Sequence, residues 1–465
     1  MFSPLYFPLL ASLAAQDRGS IERVSEGRIA EALSSSSRVM ETASWKGKPD
    51  IVRLVADFRL AADQLEDAED GYRKSLKSMR TSHQFSGLSC RDTAWQTLFR
   101  HRSTATALNL WSRVVADGKI DPDRRREARF GLVVTLGEMG RLSEMGQALD
   151  ELEGDMEDAH PLWVEIGKLL RYDMAIQNDI RQSEPLSDHV YWQSLLRDTA
   201  PEEARELQQP LTSPLLRLRY ECLMNLKQLA RGNRDAFAPL DSHMRWAQQE
   251  GLPDYQRALR IEIAIAALSG GLWVVAEQVM QPIGDYVREA NGRRLLEQLY
   301  CTAKIRREQG RTQDWVRLYG RYALGALCST RDAALAPSPY SGREAGRADA
   351  PLDDVAARLP AKYRRAYRYL LANLERRDLS VREIAREISV TERALQTAFK
   401  NFIGLTPTEV IRRRRMELIH AELSSQTNDK SVLSVANKWG VMHRSTLVNG
   451  YRKYFDEVPS ATLAR

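Results

Sequence analysis

Cysteine is scarce in this chain of 465 residues. The four present, Cys90, Cys222, Cys301 and Cys328, lie far apart, with no C-x-x-C pair and no histidine pair beside them. That spacing excludes a disulfide framework and a zinc site, and it fits reduced thiols in a cytoplasmic protein. No unbroken apolar run reaches the roughly 18 residues that a membrane-spanning helix requires, so no membrane partner is expected. The apolar stretch Met1 to Ala15 lacks a basic leading region and is interrupted by Pro8. It is therefore read as a segment that caps the first helices and not as an export signal. The seven histidines form no H-E-x-x-H, no G-x-S-x-G supports a triad, and no glycine-rich loop follows a strand. No enzyme activity, metal or cofactor is expected.

Strand signals are nearly absent too, while i, i+3, i+4 apolar spacing recurs along the chain, so an all-α fold is predicted. With 43% hydrophobic and 28% charged residues the composition is that of an ordinary globular protein long enough for two or three domains. Three segments share one plan, a helix, a glycine turn and a second helix. They are Leu218 to Ala230 turning at Gly232, Tyr255 to Leu268 turning at Gly270 and Gly271, and Leu295 to Glu308 turning at Gly310. The intervals Gly232 to Gly271 and Gly271 to Gly310 are both 39 residues. Equal spacing of helical hairpins predicts a solenoid loosely resembling a tetratricopeptide array, whose full pattern is not met, with a non-repetitive helical bundle as the alternative. Ala128 to Leu149, with Leu136-Gly137 and Met139-Gly140-Arg141, repeats the idea upstream. From Cys328 to Leu352 the pattern dissolves into Ser, Pro and Gly, which predicts a linker. The expected organisation is a helical regulatory domain over 1–330, a linker over 331–355 and a second domain over 356–465.

Charge divides along the same line. Ala361 to Arg465 holds 20 Lys and Arg against 11 Asp and Glu, and the remainder of the chain is slightly acidic. A compact basic segment on an acidic body is the electrostatic footprint expected of a polyanion binder.

This segment also contains an internal duplication. Ile384-Ala385 corresponds to Val435-Ala436, Leu395 and Phe399 to Leu447 and Tyr451, Phe402 to Tyr454, and Pro407 to Pro459. The offset is 51 before the turn and 52 after it, so the second copy carries one extra residue in its turn. Each copy has the pattern of a helix-turn-helix. In the first, Val381, Ile384, Ala385 and Ile388 make an amphipathic supporting helix, Ser389-Val390 the turn, and Thr391 an N-cap. Leu395, Ala398, Phe399 and Phe402 then line one face and leave Arg393, Gln396, Thr397 and Lys400 on the other. Arg suits guanine and Gln suits adenine in a major groove. In the second, Leu433, Val435, Ala436 and Trp439 form the supporting helix, Gly440 turns the chain, and Leu447, Tyr451 and Tyr454 anchor the next helix. Its outward set is Arg444, Ser445, Val448, Asn449, Arg452 and Lys453, poorer in base donors but with Val448 suited to a thymine methyl and Arg452 or Lys453 to phosphate.

Thr406-Pro407-Thr408-Glu409 is a capping-box start for a helix to about Leu423 that joins the copies. Such a strut could hold two recognition helices about one DNA turn, roughly 34 Å, apart. Arg412 to Arg415 read as its solvated face, with base contact as the alternative.

With these features Ala385, Thr391, Leu395, Phe399, Gly404, Pro407, Ala436, Trp439-Gly440, Tyr451 and Phe455 to Pro459 resemble the AraC/XylS regulator domain over about residues 360 to 465. The chain departs from that pattern at Val441, Val448, Asn449 and Asp456. The resemblance implies binding to double-stranded promoter DNA. A long helical front end on such a domain is similar to the Hrp-type activators of type III secretion genes, which implies activation of secretion or virulence operons and action with RNA polymerase. The front end is expected to bind a protein or itself. The competing expectation is a helical scaffold or chaperone adaptor whose basic C-terminus binds protein.

Overall fold

The computed structural model describes the chain apart from residues 1–2, 42–48, 79–81, 101–102, 197–206, 208, 284–291, 341–358, 404, 425–430, 456 and 464–465. Among the described residues there is helix and no strand, as the apolar periodicity predicts. No described helix is long and apolar enough to cross a membrane. The chain divides into two compact units, one of Met1–Gly71, Ala94–Val115 and Asp121–Glu344, the other of Tyr72–Thr93, Ala116–Ile120 and Ala345–Arg465.

In the first unit, several helices start where proline occupies the first turn behind a polar cap. Asp121 precedes Pro122, His160 precedes Pro161, and Ser213 precedes Pro214, each capping side chain accepting a backbone N–H. Proline costs nothing there because that N–H has no intrahelical partner. The three glycine-punctuated segments form hairpins: Pro214–Ala230 with Phe237–Gln249, Pro253–Ser269 with Trp273–Met280, and Arg293–Glu308 with Thr312–Leu335. Their first helices lie side by side. Gly232, Gly271 and Gly310 all have positive φ. Gly270 is required by proximity, since a Cβ there would lie 2.3 Å from the carbonyl oxygen of Leu229. Pro122–Met139 and Leu142–Gly154 form the predicted upstream pair, turning at Gly140 with φ 74°.

The apolar N-terminal segment becomes the helix Tyr6–Ala14, buried at every residue, with the Tyr6 hydroxyl donating to Asp173 at 3.0 Å. Asp173 also accepts two bonds from Arg219 at 2.9 Å, and Arg219 donates to Glu262 at 2.8 Å. This buried group ties four helices by geometry that tolerates few alternatives, which favours one packing over others. Of the four cysteines, all free, Cys90, Cys222 and Cys301 are buried and Cys328 is exposed. One sequence expectation shifts. The helix Thr312–Leu335 runs past Cys328, where the linker pattern begins, because Asp332, Ala333 and Ala334 are compatible with helix and the first breaker is Pro337.

Candidate nucleic-acid interface

Two separate apolar cores are built from the described residues between Leu359 and Phe455. Leu359, Ala366, Tyr367, Leu370, Ile384, Ala385, Leu395 and Phe399 belong to the first, and Val435, Ala436, Val441, Leu447 and Tyr451 to the second. Each core is closed by a supporting helix and a recognition helix.

In the first copy the supporting helix is Val381–Glu387, capped by Ser380, and the recognition helix is Glu392–Ile403. The turn between them needs a left-handed residue, and Ser389 supplies it with φ 53°. Val390 then donates its N–H to the Ala385 carbonyl at 3.0 Å. Thr391 caps the recognition helix as expected, its hydroxyl accepting from Ala394 N–H at 3.2 Å. Leu395 and Phe399 are fully buried and Ala398 nearly so, while Arg393, Gln396, Thr397 and Lys400 are all exposed. Beside that face lies a cleft of about 480 Å³ lined by Tyr363, Thr391, Arg393, Thr397 and Phe402. Tyr363, from the helix Ala361–Ala372, was not among the residues singled out from sequence, because it lies outside the duplicated motif.

The second copy repeats this geometry. Ser431 caps the supporting helix Val432–Lys438, Gly440 turns with φ 72°, and Val441 donates to the Ala436 carbonyl at 2.9 Å. The recognition helix is Arg444–Phe455. The extra residue of the second turn falls at Met442, which is exposed. Arg444, Ser445, Asn449, Arg452 and Lys453 are exposed and Val448 is half-buried. Leu433 is a correction. It is exposed, and Val432 packs on the core in its place. The offset of 51 makes Val432 the counterpart of Val381 and Leu433 that of exposed Arg382, so the duplication itself carried this information. Trp439 is partly buried against the core, and its indole N–H donates to Glu422 at 2.9 Å, tying the second helix-turn-helix copy to the joining helix. The imidazole of His420 stacks on Phe455 with centroids 4.2 Å apart.

The joining helix is Pro407–Ser424, 18 residues and so about 27 Å long. Its capping box is formed: Thr406 N–H donates to Glu409 at 2.7 Å, and Glu409 N–H donates to the Thr406 hydroxyl at 3.3 Å. The backbone N–H of Thr406 holds the Glu409 carboxyl below its usual range. Arg412 to Arg415 do not form one solvated face. Only Arg412 is exposed. Arg413 and Arg414 both pair with Glu417, at 3.0 and 2.9 Å, and Arg414 also donates to the Tyr367 hydroxyl at 2.9 Å. Arg415 is engaged by backbone carbonyls, and burial lowers its pKa from the usual guanidinium value. One acidic residue, Glu417, at i+4 from Arg413 and i+3 from Arg414, is the missed signal for both. Gly404 and Asp456, part of the family resemblance, lie outside the described residues. Among the described residues no cluster of His, Cys, Asp or Glu could hold a metal ion.

Two helix-turn-helix units on one joining helix, each presenting a polar face from a recognition helix, define a DNA-binding transcriptional regulator. Comparison with known proteins agrees. A helix-turn-helix domain family matches residues 384–465. The regulatory protein HrpB of Ralstonia nicotianae is 34% identical over 491 residues, covering all of both chains. XylDLEGF operon transcriptional activator 1 of Pseudomonas putida is 35% identical over 104 residues, 22% of this chain and 31% of that activator. A probable thc operon regulatory protein of Rhodococcus erythropolis is 31% identical over 106 residues, 23% of this chain and 32% of its own. No solved structure matches. The chain belongs to the family of the regulatory protein HrpB, with an AraC-type DNA-binding domain at its C-terminal end.

Proposed function

We propose that this regulator inserts its two recognition helices into successive major grooves of promoter DNA and activates transcription with RNA polymerase. In the first groove Arg393 bonds guanine O6/N7 and Gln396 adenine N6/N7, with Thr397 and Lys400 beside them on base edges or phosphate. In the second, Arg444, Ser445 and Asn449 face the bases, Val448 meets a thymine methyl, and Arg452 and Lys453 hold phosphate. The observation that carries this reading is the separation of faces: in each copy the apolar anchors are buried and the hydrogen-bonding side chains one turn away are exposed.

The genes controlled are those of type III secretion and virulence. The full-length likeness to the regulatory protein HrpB supports this, as does the long helical region in front of an AraC-type domain. Residues 1–330 act as the regulatory domain, binding a protein or a second copy, and residues 356–465 as the DNA-binding domain, in the cytoplasm and without catalysis. A chain-wide test is genomic footprinting with the intact protein, paired with transcript measurement in a strain lacking it. Occupied promoters upstream of secretion operons whose transcripts fall in the deletion strain support the reading. Occupancy confined to unrelated promoters, or no change in transcripts, overturns the assignment of genes.

A further inference from the structure

Along the joining helix the fully buried members of the two cores follow one another, and half-buried Leu418 packs against the first. Val410 and Ile411 belong to the first, and Met416, Ile419 and Leu423 to the second. Between them stand only Arg412 to Arg415. No described apolar side chain belongs to both clusters, so the angle between the two helix-turn-helix units rests on the joining helix and on the polar contacts at the seam.

Arg415 occupies the seam. It falls at i+4 from Ile411 and i−4 from Ile419, on the helix's buried stripe, and has no acidic residue at i±3 or i±4. Its guanidinium reaches both units at once. Nε donates to the Leu374 carbonyl at 3.0 Å and Nη2 to the Arg376 carbonyl at 2.5 Å, in the segment before the first supporting helix. Nη1 donates to the Gly440 carbonyl at 3.4 Å, in the turn of the second unit. The turn closes on the same group, since a Cβ on Gly440 would lie 2.9 Å from Arg415 Nη2 and 3.4 Å from the Cα of Arg377. A planar guanidinium has donors in fixed directions, so three carbonyls bound to it are fixed relative to one another, which a single ammonium cannot do.

We infer that Arg415 is a positioning residue that sets the angle and separation of the two recognition helices, and with them the half-site spacing the regulator accepts. It contacts no base. The geometric part stands by itself, and its consequence for DNA spacing rests on the two-groove reading above.

The test uses the full chain with Cys328→Ser, leaving the three buried cysteines. Spin labels go at Glu392→Cys and Thr446→Cys, exposed positions on the two recognition helices outside the proposed base-reading sets. Pulsed dipolar spectroscopy without DNA should give one narrow distance distribution. Arg415→Gln should broaden it to several times that width, Arg415→Lys should broaden it less, and Arg412→Gln, at the exposed neighbour, should leave it unchanged. A wild-type width in folded Arg415→Gln and Arg415→Lys overturns the inference. So does loss of helix content in both, which would make Arg415 a plain stability residue.

A second arm separates this outcome from failure of the DNA reading. Duplexes selected from a random library by the wild-type chain are lengthened by one or two base pairs between half-sites. Wild-type affinity should drop about tenfold or more, the scale of one lost base contact, and Arg415→Gln should drop by about threefold or less. Broadened distances with unchanged spacing tolerance would sink the two-groove reading and the spacing claim with it, while the geometric role stood.

Discussion

Phe399 and Leu395 are fully buried while Arg393 and Gln396, within one turn, are exposed, so a single helix carries two separable kinds of substitution. Phe399→Ala removes a core ring at about 3 to 5 kcal/mol and should unfold the unit, abolishing binding to cognate and scrambled duplexes together. Arg393→Ala or Gln396→Ala should cost about 1 to 3 kcal/mol on the cognate duplex, little on the scrambled one, and leave the melting temperature in place. Arg444→Ala and Asn449→Ala should have smaller specific effects, the second face being poorer in donors. Equal weakening on both duplexes by Arg393→Ala and Gln396→Ala would mean that the first helix only grips phosphate. A different residue-scale effect lies among the helical hairpins, where burial holds the imidazoles of His189 and His243 down at about 3. An unfolded histidine titrates near 6.5. Between those values the unfolded chain binds protons that the folded chain does not, so stability should fall as pH drops from about 6.5 toward 3. Thermal melts at pH 7.5 and 5.5 should show the decline, and His243→Gln should make it shallower. An identical pH slope in that variant would count against a neutral buried histidine.

At the scale of elements, the joining helix depends on a cap that is visible both in sequence and in atoms. Thr406→Ala removes the hydroxyl that accepts Glu409 N–H and should cost about 0.5 to 2 kcal/mol. Because Glu409 titrates below its usual range when folded, its half of the box should contribute above the unfolded carboxylate pKa and be lost as pH falls through the lower folded value. Melts of Thr406→Ala and Glu409→Gln at pH 7 and pH 3 check this. A Glu409→Gln penalty that persists undiminished at pH 3 would contradict it. The same elements show what the sequence made legible and what it did not. Caps, glycine turns and the 51-residue duplication are local, and they placed both helix-turn-helix units and the hairpin turns. The long-range partners were not legible: Arg415 looks like its three neighbours until the carbonyls of Leu374, Arg376 and Gly440 are brought to it by tertiary packing. Leu433 misled because an apolar residue beside a supporting helix satisfies periodicity whether it packs or not. The sequence places the end of the helix that runs to Leu335 too early because Ser329 and Thr330 look like linker, whereas Thr330 donates its hydroxyl to the Ala326 carbonyl within the helix.

For the whole molecule, charge decides how binding should respond to its surroundings. The basic surplus is confined to Ala361–Arg465, and several of its arginines are already engaged within the protein: Arg376 with Glu383, Arg413 and Arg414 with Glu417, and Arg415 with carbonyls. Formal charge therefore overstates the number of cations available to phosphate. Arg393, Lys400, Arg444, Arg452 and Lys453 remain exposed on the recognition helices, and Arg412 is exposed on the joining helix. If about six phosphates are neutralised, log affinity should fall linearly with log salt at a slope of roughly −5, about a thousandfold between 50 and 200 mM. Lys453→Ala should reduce the magnitude of that slope by about one while weakening cognate and scrambled duplexes alike. Glu417→Ala removes the carboxylate that both Arg413 and Arg414 pair with and should steepen the slope only if that helix faces the DNA backbone. Titrations of the intact protein at four salt concentrations, on both duplexes, measure all three quantities. A slope near zero would mean that these cations serve contacts within or between proteins, and the basic segment would then be a protein-binding surface instead of a DNA-binding one.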